Sequence, residues 1–187
     1  MNLKKVISVF LFALSLLYTQ SSFATMLNAD IAEAARNGDI STVSKALHSG
    51  SVSINDADEN GYTMLILSIY HDQEKMASYL LSQNADPNQS DNHGRTALMG
   101  AAFKGDLNSA DILLGDKRTL INLQNPQGQT AAMYAALFGH IQFLQNLTAK
   151  GAKLDIQDKQ GNSCMTLALQ QGNSAIAEWI KKQAHNS

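Results

Sequence analysis

Five histidines and one cysteine are the side chains of this sequence best suited to metal binding or nucleophilic chemistry. No two histidines are three or four residues apart, the spacing that would place two imidazoles on one face of a helix. No base is positioned by sequence to activate Cys164, so we interpret it as a small buried side chain rather than a nucleophile. The histidines are His48, His71, His93, His140 and His185.

The segment from Asp56 to Gly61 begins like a calcium-binding EF-hand loop, with oxygen-bearing side chains at alternate positions. Such a loop needs a bidentate Glu at its twelfth position, where this sequence has Leu67. The sequence also lacks the glycine-rich phosphate loop, the Gly-x-Ser-x-Gly turn and the His-Glu-x-x-His helix. We therefore interpret this segment as a turn, and we expect no catalytic site, no cofactor and no bound metal.

Four glycines mark an internal repeat, and the elements of this repeat position the residues discussed above. Gly61, Gly94, Gly128 and Gly161 are 33, 34 and 33 residues apart. Two residues after each of them stands a hydroxyl side chain, in order Thr63, Thr96, Thr130 and Ser163. A second glycine follows the last three of these glycines after 11 residues, at Gly105, Gly139 and Gly172.

Each repeat predicts a turn followed by two antiparallel helices. Asp or Asn before the first glycine favours the turn, the hydroxyl caps the first helix, and the second glycine ends it. A single unit of this kind cannot bury its apolar face, so neighbouring units must stack. The period of about 33 and the Thr-x-Leu-x-x-Ala-Ala pattern, clearest from Thr96 to Ala102, resemble the ankyrin repeat.

This resemblance implies an all-α fold, an ankyrin repeat solenoid of about five helix-turn-helix units joined by β-hairpin-like loops. The ankyrin repeat domain is expected to span residues 25–187, with its first and last units acting as caps. The predicted units are about residues 26–53, 54–86, 87–120, 121–153 and 154–187.

Residues 1–24 are predicted to be a secretory signal peptide. Two lysines precede an uncharged apolar run, Val6 to Tyr18, and Ser22-Phe23-Ala24 offers small residues at the two cleavage positions. The run is shorter than the roughly 20 residues of a membrane-spanning helix, which favours cleavage after Ala24 over an uncleaved anchor. We expect a periplasmic protein with no membrane insertion after cleavage, with secretion from another cell type as the alternative.

Ankyrin repeats are generally protein-binding scaffolds, so the resemblance implies a non-catalytic protein-protein interaction module. In that family the first helices and the turns line a concave face. Carried over to this sequence, those positions predict a partly exposed apolar ladder with two cations beside it that pair with acidic groups of a partner. The predicted partner-binding residues are Tyr62, Tyr70, His71, Arg95, Phe103, Lys104, Leu137 and Phe138.

The sequence leaves the biological setting of this binding open. Small exported ankyrin proteins that this one resembles support a catalase in peroxide defence, whereas others are immunity proteins that inhibit a secreted toxic effector such as a lipase. A carrier of haem or another small ligand, using His71 with Tyr70 or Tyr62, is an alternative from a different class, and an enzyme based on Cys164 or a histidine is a third. The formal net charge of -2 gives no support to nucleic-acid binding. The polar caps favour a monomer when the protein is free.

Overall fold

The computed structural model describes residues 26–184 and arranges them as five antiparallel pairs of helices. The predicted signal peptide lies outside the described residues. In chain order the helices are α1 (Ala29–Asn37), α2 (Ile40–Ser49), α3 (Met64–Tyr70), α4 (Glu74–Ser82), α5 (Ala97–Lys104), α6 (Leu107–Gly115), α7 (Ala131–Leu137), α8 (Ile141–Ala149), α9 (Cys164–Gln170) and α10 (Ser174–Ala184).

The helices form two layers. The first helix of each pair packs against the first helix of the next pair, so α1, α3, α5, α7 and α9 make one continuous layer, the inner helices. On the other side of the stack α4 packs against α6, and α6 against α8. The predicted all-α repeat solenoid is therefore confirmed.

The repeated hydroxyl residues begin the inner helices as predicted. The side chains of Thr63, Thr96 and Thr130 each accept a hydrogen bond from the backbone N–H three residues later, at 3.2–3.3 Å. Ser163 makes the same contact within a capping box that Thr166 completes. Each cap satisfies a backbone N–H that has no partner inside the helix, which stabilises the helix start by about 1 kcal/mol.

The turns between units share one construction. A side-chain oxygen three residues before the glycine accepts hydrogen bonds from the backbone N–H groups two and four residues after itself. The residues that supply this oxygen are Asp58, Asp91, Asn125 and Asp158. In the EF-hand-like segment, the Asp58 carboxylate thus serves the turn, as we interpreted it. Single antiparallel bridges, Ala57 with Thr63 and Ser90 with Thr96, are the only β-type pairing in residues 26–184.

Asparagine side chains tie the start of a unit to its end. The amide oxygens of Asn55, Asn88 and Asn122 accept the backbone N–H groups of Asp86, Leu120 and Lys153, at 2.7–2.8 Å. The same register position in the last unit holds Asp155, and no described unit follows it. The recurring Asn thus closes each unit on itself, which is a structural role.

The core lies between the two helix layers and is continuous along the stack. Paired alanines such as Ala101-Ala102 and Ala135-Ala136 are fully buried where inner helices meet, and the small side chains allow close approach. Larger side chains, among them Met64, Met99 and Phe143, fill the interior. Within residues 26–184 no helix combines the length and apolar composition needed to cross a membrane.

Candidate functional site

The predicted partner-binding residues lie at the C-terminal ends of the inner helices and in the turns before them. We call the surface that they form the inner surface. Tyr70, Phe103 and Leu137 stand seven residues after their helix caps, so they occupy equivalent positions on α3, α5 and α7. The next residue along, His71, Lys104 or Phe138, is at or beside the helix end. The repeat register thus brings residues 33 or 34 positions apart onto one surface.

Two phenylalanines form the most exposed apolar feature of the inner surface. The rings of Phe103 and Phe138 meet edge to face, with centroids 4.6 Å apart and an interplanar angle of 78°. Phe103 is 47% exposed and Phe138 is 44% exposed. Two half-exposed aromatic rings in contact leave apolar area in water that a partner could bury, and aromatic residues are frequent at binding hot spots.

His140 contacts the backbone of Phe103, one member of this pair. Its Nε2 lies 3.0 Å from the backbone carbonyl oxygen of Phe103. A carbonyl only accepts, so the contact indicates the tautomer with the proton on Nε2. This contact ties the start of α8 to the end of α5.

Arg95 is the centre of a polar cluster at the turns of units two and three. Its Nε and Nη2 both contact Oδ2 of Asp91 at 2.8 Å, and Nη2 donates to the Tyr62 hydroxyl at 3.2 Å. The rings of Tyr62 and Tyr70 meet edge to face, with centroids 5.8 Å apart. Burial raises the pKa of the Tyr70 phenol, and the positive charge of Arg95 opposes that shift.

Tyr134 belongs beside this cluster but was not predicted from the sequence. Its hydroxyl accepts a hydrogen bond from the Asn125 side chain at 3.3 Å, and burial raises its pKa while the Arg95 charge lowers it. Tyr134 stands four residues after its helix cap, a position that the prediction did not count as outward. Gly100 holds that position in unit three, where a Cβ would lie 3.2 Å from Cζ of Tyr70. The missing side chain at Gly100 therefore makes room for the Tyr70 ring. A glycine at this repeat position was the sequence signal that the equivalent residue, Tyr134, lies beside the cluster.

Lys104 is held by acceptors of the preceding unit. Its ammonium contacts the Asp72 carboxylate and donates to the backbone carbonyls of Tyr70 at 3.0 Å and Ile69 at 3.4 Å. The sequence prediction paired Lys104 and Arg95 with acidic groups of a partner. In the structure both cations already contact carboxylates of this chain, Lys104 that of Asp72 in unit two and Arg95 that of Asp91 in its own unit. Units two and three are therefore joined by the Lys104–Asp72 contact and by the Arg95–Tyr62 hydrogen bond.

A cavity of about 370 Å³ opens at the inner surface between the first three units. Five of its six lining residues carry hydrogen-bond donors, and Leu67 is the sixth. The lining residues are Arg36, Tyr62, Leu67, Tyr70, His71 and Arg95. Arg36 lies near the end of α1 and is not among the predicted partner-binding residues. The repeat positions were aligned on the turn before each inner helix, and unit one has no such turn.

Cys164 lies in the core, away from the inner surface. It is 1% exposed, and burial raises the pKa of its thiol to about 12. The thiolate is the nucleophilic form, so this environment disfavours the enzyme hypothesis that used Cys164. No group of three or more His, Cys, Asp or Glu side chains in residues 26–184 is arranged to hold a metal ion.

Comparison with known proteins agrees with this architecture. A family model described as ankyrin repeats, three copies, matches residues 31–125 and 100–187. The chain belongs to the ankyrin repeat family. This fold is typically a non-enzymatic module that binds another protein.

Two relatives illustrate how this ankyrin chain compares with longer proteins. It is 26% identical over 146 residues to the ankyrin repeat protein nuc-2 of Neurospora crassa, covering 78% of this chain and 14% of nuc-2. It is 27% identical over 151 residues to the phosphocholine transferase AnkX of Legionella pneumophila, covering 79% of this chain and 16% of AnkX. The chain thus spans about a seventh of the length of these relatives, and the match concerns the repeats.

Proposed function

We propose that this protein is a non-catalytic protein-binding module of the periplasm that holds its partner on the inner surface. The observation that carries the proposal is the exposed edge-to-face pair of Phe103 and Phe138 on an ankyrin scaffold. Leu137 and the Tyr62–Tyr70 pair extend the same surface across three adjacent units. Burying such a surface removes apolar area from water at about 25 cal/mol per Å².

The anchoring of these side chains favours binding without large rearrangement. The His140 contact holds the backbone of Phe103, whose ring packs against Phe138, and the hydrogen bond with Arg95 holds the Tyr62 hydroxyl. A preformed surface loses little conformational entropy when a partner binds, so more of the contact energy remains as affinity. Three units also provide enough length for a standard interface of about 800 Å² per side.

The absence of catalysis is part of the proposal. Its support is the burial of the Cys164 thiol and the use of His140 in a contact between units. AnkX is a phosphocholine transferase, but this chain matches only 16% of it. The reaction of AnkX is therefore not carried over to this protein.

The periplasmic location is proposed from the N-terminal sequence, Met1 to Ala24, which has the features of a cleaved signal peptide. Within that compartment we propose two settings. In the first, the protein supports a catalase in peroxide defence. In the second, it is an immunity protein that inhibits a secreted toxic effector such as a lipase. The identity of the captured partner separates the two.

The test is affinity capture from a periplasmic extract of the source cell. The baits are the wild-type protein, the double variant Phe103→Glu/Phe138→Glu, and a control, Met26→Glu/Leu120→Glu. The control residues are also exposed and apolar, at 68% and 57%, but lie outside the predicted site. Thermal unfolding of the three baits establishes that they are equally folded.

We expect one protein to be held by the wild type and the control and to be lost at least tenfold on the phenylalanine variant. Loss of two hot-spot side chains typically costs 2 kcal/mol or more, which is about a 30-fold change in Kd. Equal capture by all three baits would contradict binding through the inner surface. Capture of no specific protein by the wild type would contradict the proposed function itself.

A further inference from the structure

We propose that the cavity between the first three units receives the carboxylate of an Asp or Glu side chain of the partner protein. This inference rests on the proposed function and names the chemistry that the partner must present. It concerns a part of the inner surface separate from the Phe103–Phe138 pair.

The cavity is lined by donors. Two arginines, two tyrosines and a histidine are among its lining residues, and no acidic residue is. Guanidinium groups bind carboxylates through paired, charge-assisted hydrogen bonds, which are roughly twice as strong as neutral ones. The group that complements this lining is therefore an anion with several acceptor positions.

The arginines keep donors that the chain does not use. The Nε and Nη2 groups of Arg95 contact Asp91, and Nη2 also donates to Tyr62. Its Nη1 makes no hydrogen bond to any residue in the described part of the chain. Arg36 has only long contacts, 3.5 Å to Glu33 and 3.5 Å to Asp58. The side chains of the two arginines are 29% and 31% exposed, so both remain partly accessible to a partner.

The carboxylates that pair with these arginines lie outside the lining of the cavity. The Asp91 side chain is 0% exposed and the Asp58 side chain is 13% exposed, and neither lines the cavity. Glu33 is exposed, but it contacts Arg36 from one turn earlier on α1 and is not a lining residue either. A partner approaching the opening therefore meets guanidinium and phenol groups.

The remaining walls suit a side chain better than a free small anion. Leu67 and the rings of Tyr62 and Tyr70 provide apolar surface for the methylene groups of Asp or Glu. The neighbouring apolar contact is close, because Tyr70 and Phe103 hold equivalent positions on helices that pack directly. Packed helices are about 8–10 Å apart. A partner with an acidic and an apolar side chain about 10 Å apart would thus fill the cavity and cover the phenylalanine pair together.

The experiment selects displayed random 12-residue peptides on the immobilised wild-type protein purified from its source cells. Selected peptides are resynthesised in matched pairs that differ only by Glu→Gln or Asp→Asn. Each pair is titrated against the wild type, Arg36→Gln, and the control Arg118→Gln. Arg118 also pairs with a carboxylate of this chain, Asp116, but does not line the cavity. Thermal unfolding checks that the variants remain folded.

We expect the selected peptides to share an acidic residue whose amide form binds the wild type at least tenfold more weakly. On Arg36→Gln the same peptide change should weaken binding less than threefold, because the variant lacks the guanidinium that the acid contacts and the two changes are then not additive. On Arg118→Gln it should weaken binding as much as on the wild type. Peptides without a shared acid, an equal amide effect on all three proteins, or no binding peptides would overturn this inference. Capture of a partner that depends on Phe103 and Phe138 would still leave the proposed function standing.

Discussion

Burial decides the chemistry of Cys164, although its place in the chain favours the opposite outcome. Cys164 is the first residue of α9, and a helix N-terminus generally lowers the pKa of a thiol. Desolvation by the core is the larger effect here, and it raises that pKa from 9.0 to about 12. At neutral pH the thiol is therefore protonated, and the side chain acts as a small apolar group.

We predict that Cys164 makes the protein less stable at alkaline pH. The unfolded thiol ionises near its ordinary value of 9.0 and the folded thiol only near 12, so the unfolding free energy falls between these two values. Between pH 8.5 and 10.5 this one group should cost about 2 kcal/mol. Urea unfolding of the wild type and Cys164→Ala at both pH values measures the difference, because tyrosine ionisation is common to both proteins. Equal pH dependence in the two proteins would contradict the burial of the thiol.

Glycine at a turn between units is required by two separate constraints. Gly61 has φ of 80°, in the left-handed region that favours glycine. A Cβ at Gly61 would also lie 2.6 Å from the backbone nitrogen of Asn92 in the next turn. Gly50, which ends α2, has a similar φ of 70° but has nothing within 4 Å of its Cβ position. Comparing substitutions at Gly61 and Gly50 therefore separates the cost of backbone strain from the cost of disturbing the contact between turns.

We predict that Gly61→Ala destabilises the protein more than Gly50→Ala. Both substitutions place alanine in the left-handed region, at about 1–2 kcal/mol. Gly61→Ala also pushes two adjacent turns apart and disturbs the hydrogen bond from Asn92 N–H to the Asn60 carbonyl, so we expect about 1–3 kcal/mol more. Urea unfolding of both variants gives the two free energies. Equal losses of unfolding free energy in the two variants would show that the neighbouring turn moves aside without destabilising the protein.

At the scale of the whole stack, position along the solenoid determines whether an equivalent residue is buried. Ala136 and Leu169 both stand six residues after their helix caps, on α7 and α9. Ala136 is fully buried because α9 packs against its helix, whereas Leu169 is 59% exposed because no described unit follows. α10 exposes Glu178, Lys181 and Lys182, whereas α9 leaves the apolar Leu169 exposed.

We predict opposite effects of glutamine at these two equivalent positions. Leu169→Gln should change the unfolding free energy by less than about 0.5 kcal/mol, since exposed positions tolerate polar residues. Ala136→Gln forces a long polar side chain between packed helices and should cost more than about 2 kcal/mol. Thermal and urea unfolding of both variants test this. A large loss with Leu169→Gln would mean that another surface covers α9 in solution.

The sequence alone determined the repeat and its local chemistry. Thr63 and its counterparts form the helix caps, and Asp58 and its counterparts form the turns, through contacts with neighbours within one unit. Local hydrogen bonds act over two to four residues, so their pattern is visible in the spacing of residue types. The family assignment follows from the same recurrence.

Only the tertiary structure decided which side chains meet across units. It paired Phe103 with Phe138, bound Lys104 to Asp72, and brought Arg36 to the cavity that Arg95 also lines. These contacts join residues about 32 to 59 positions apart. They depend on how far each side chain reaches across the gap between packed helices, which the repeat spacing does not specify. The sequence therefore located the inner surface, and helix packing determined its charges and its cavity.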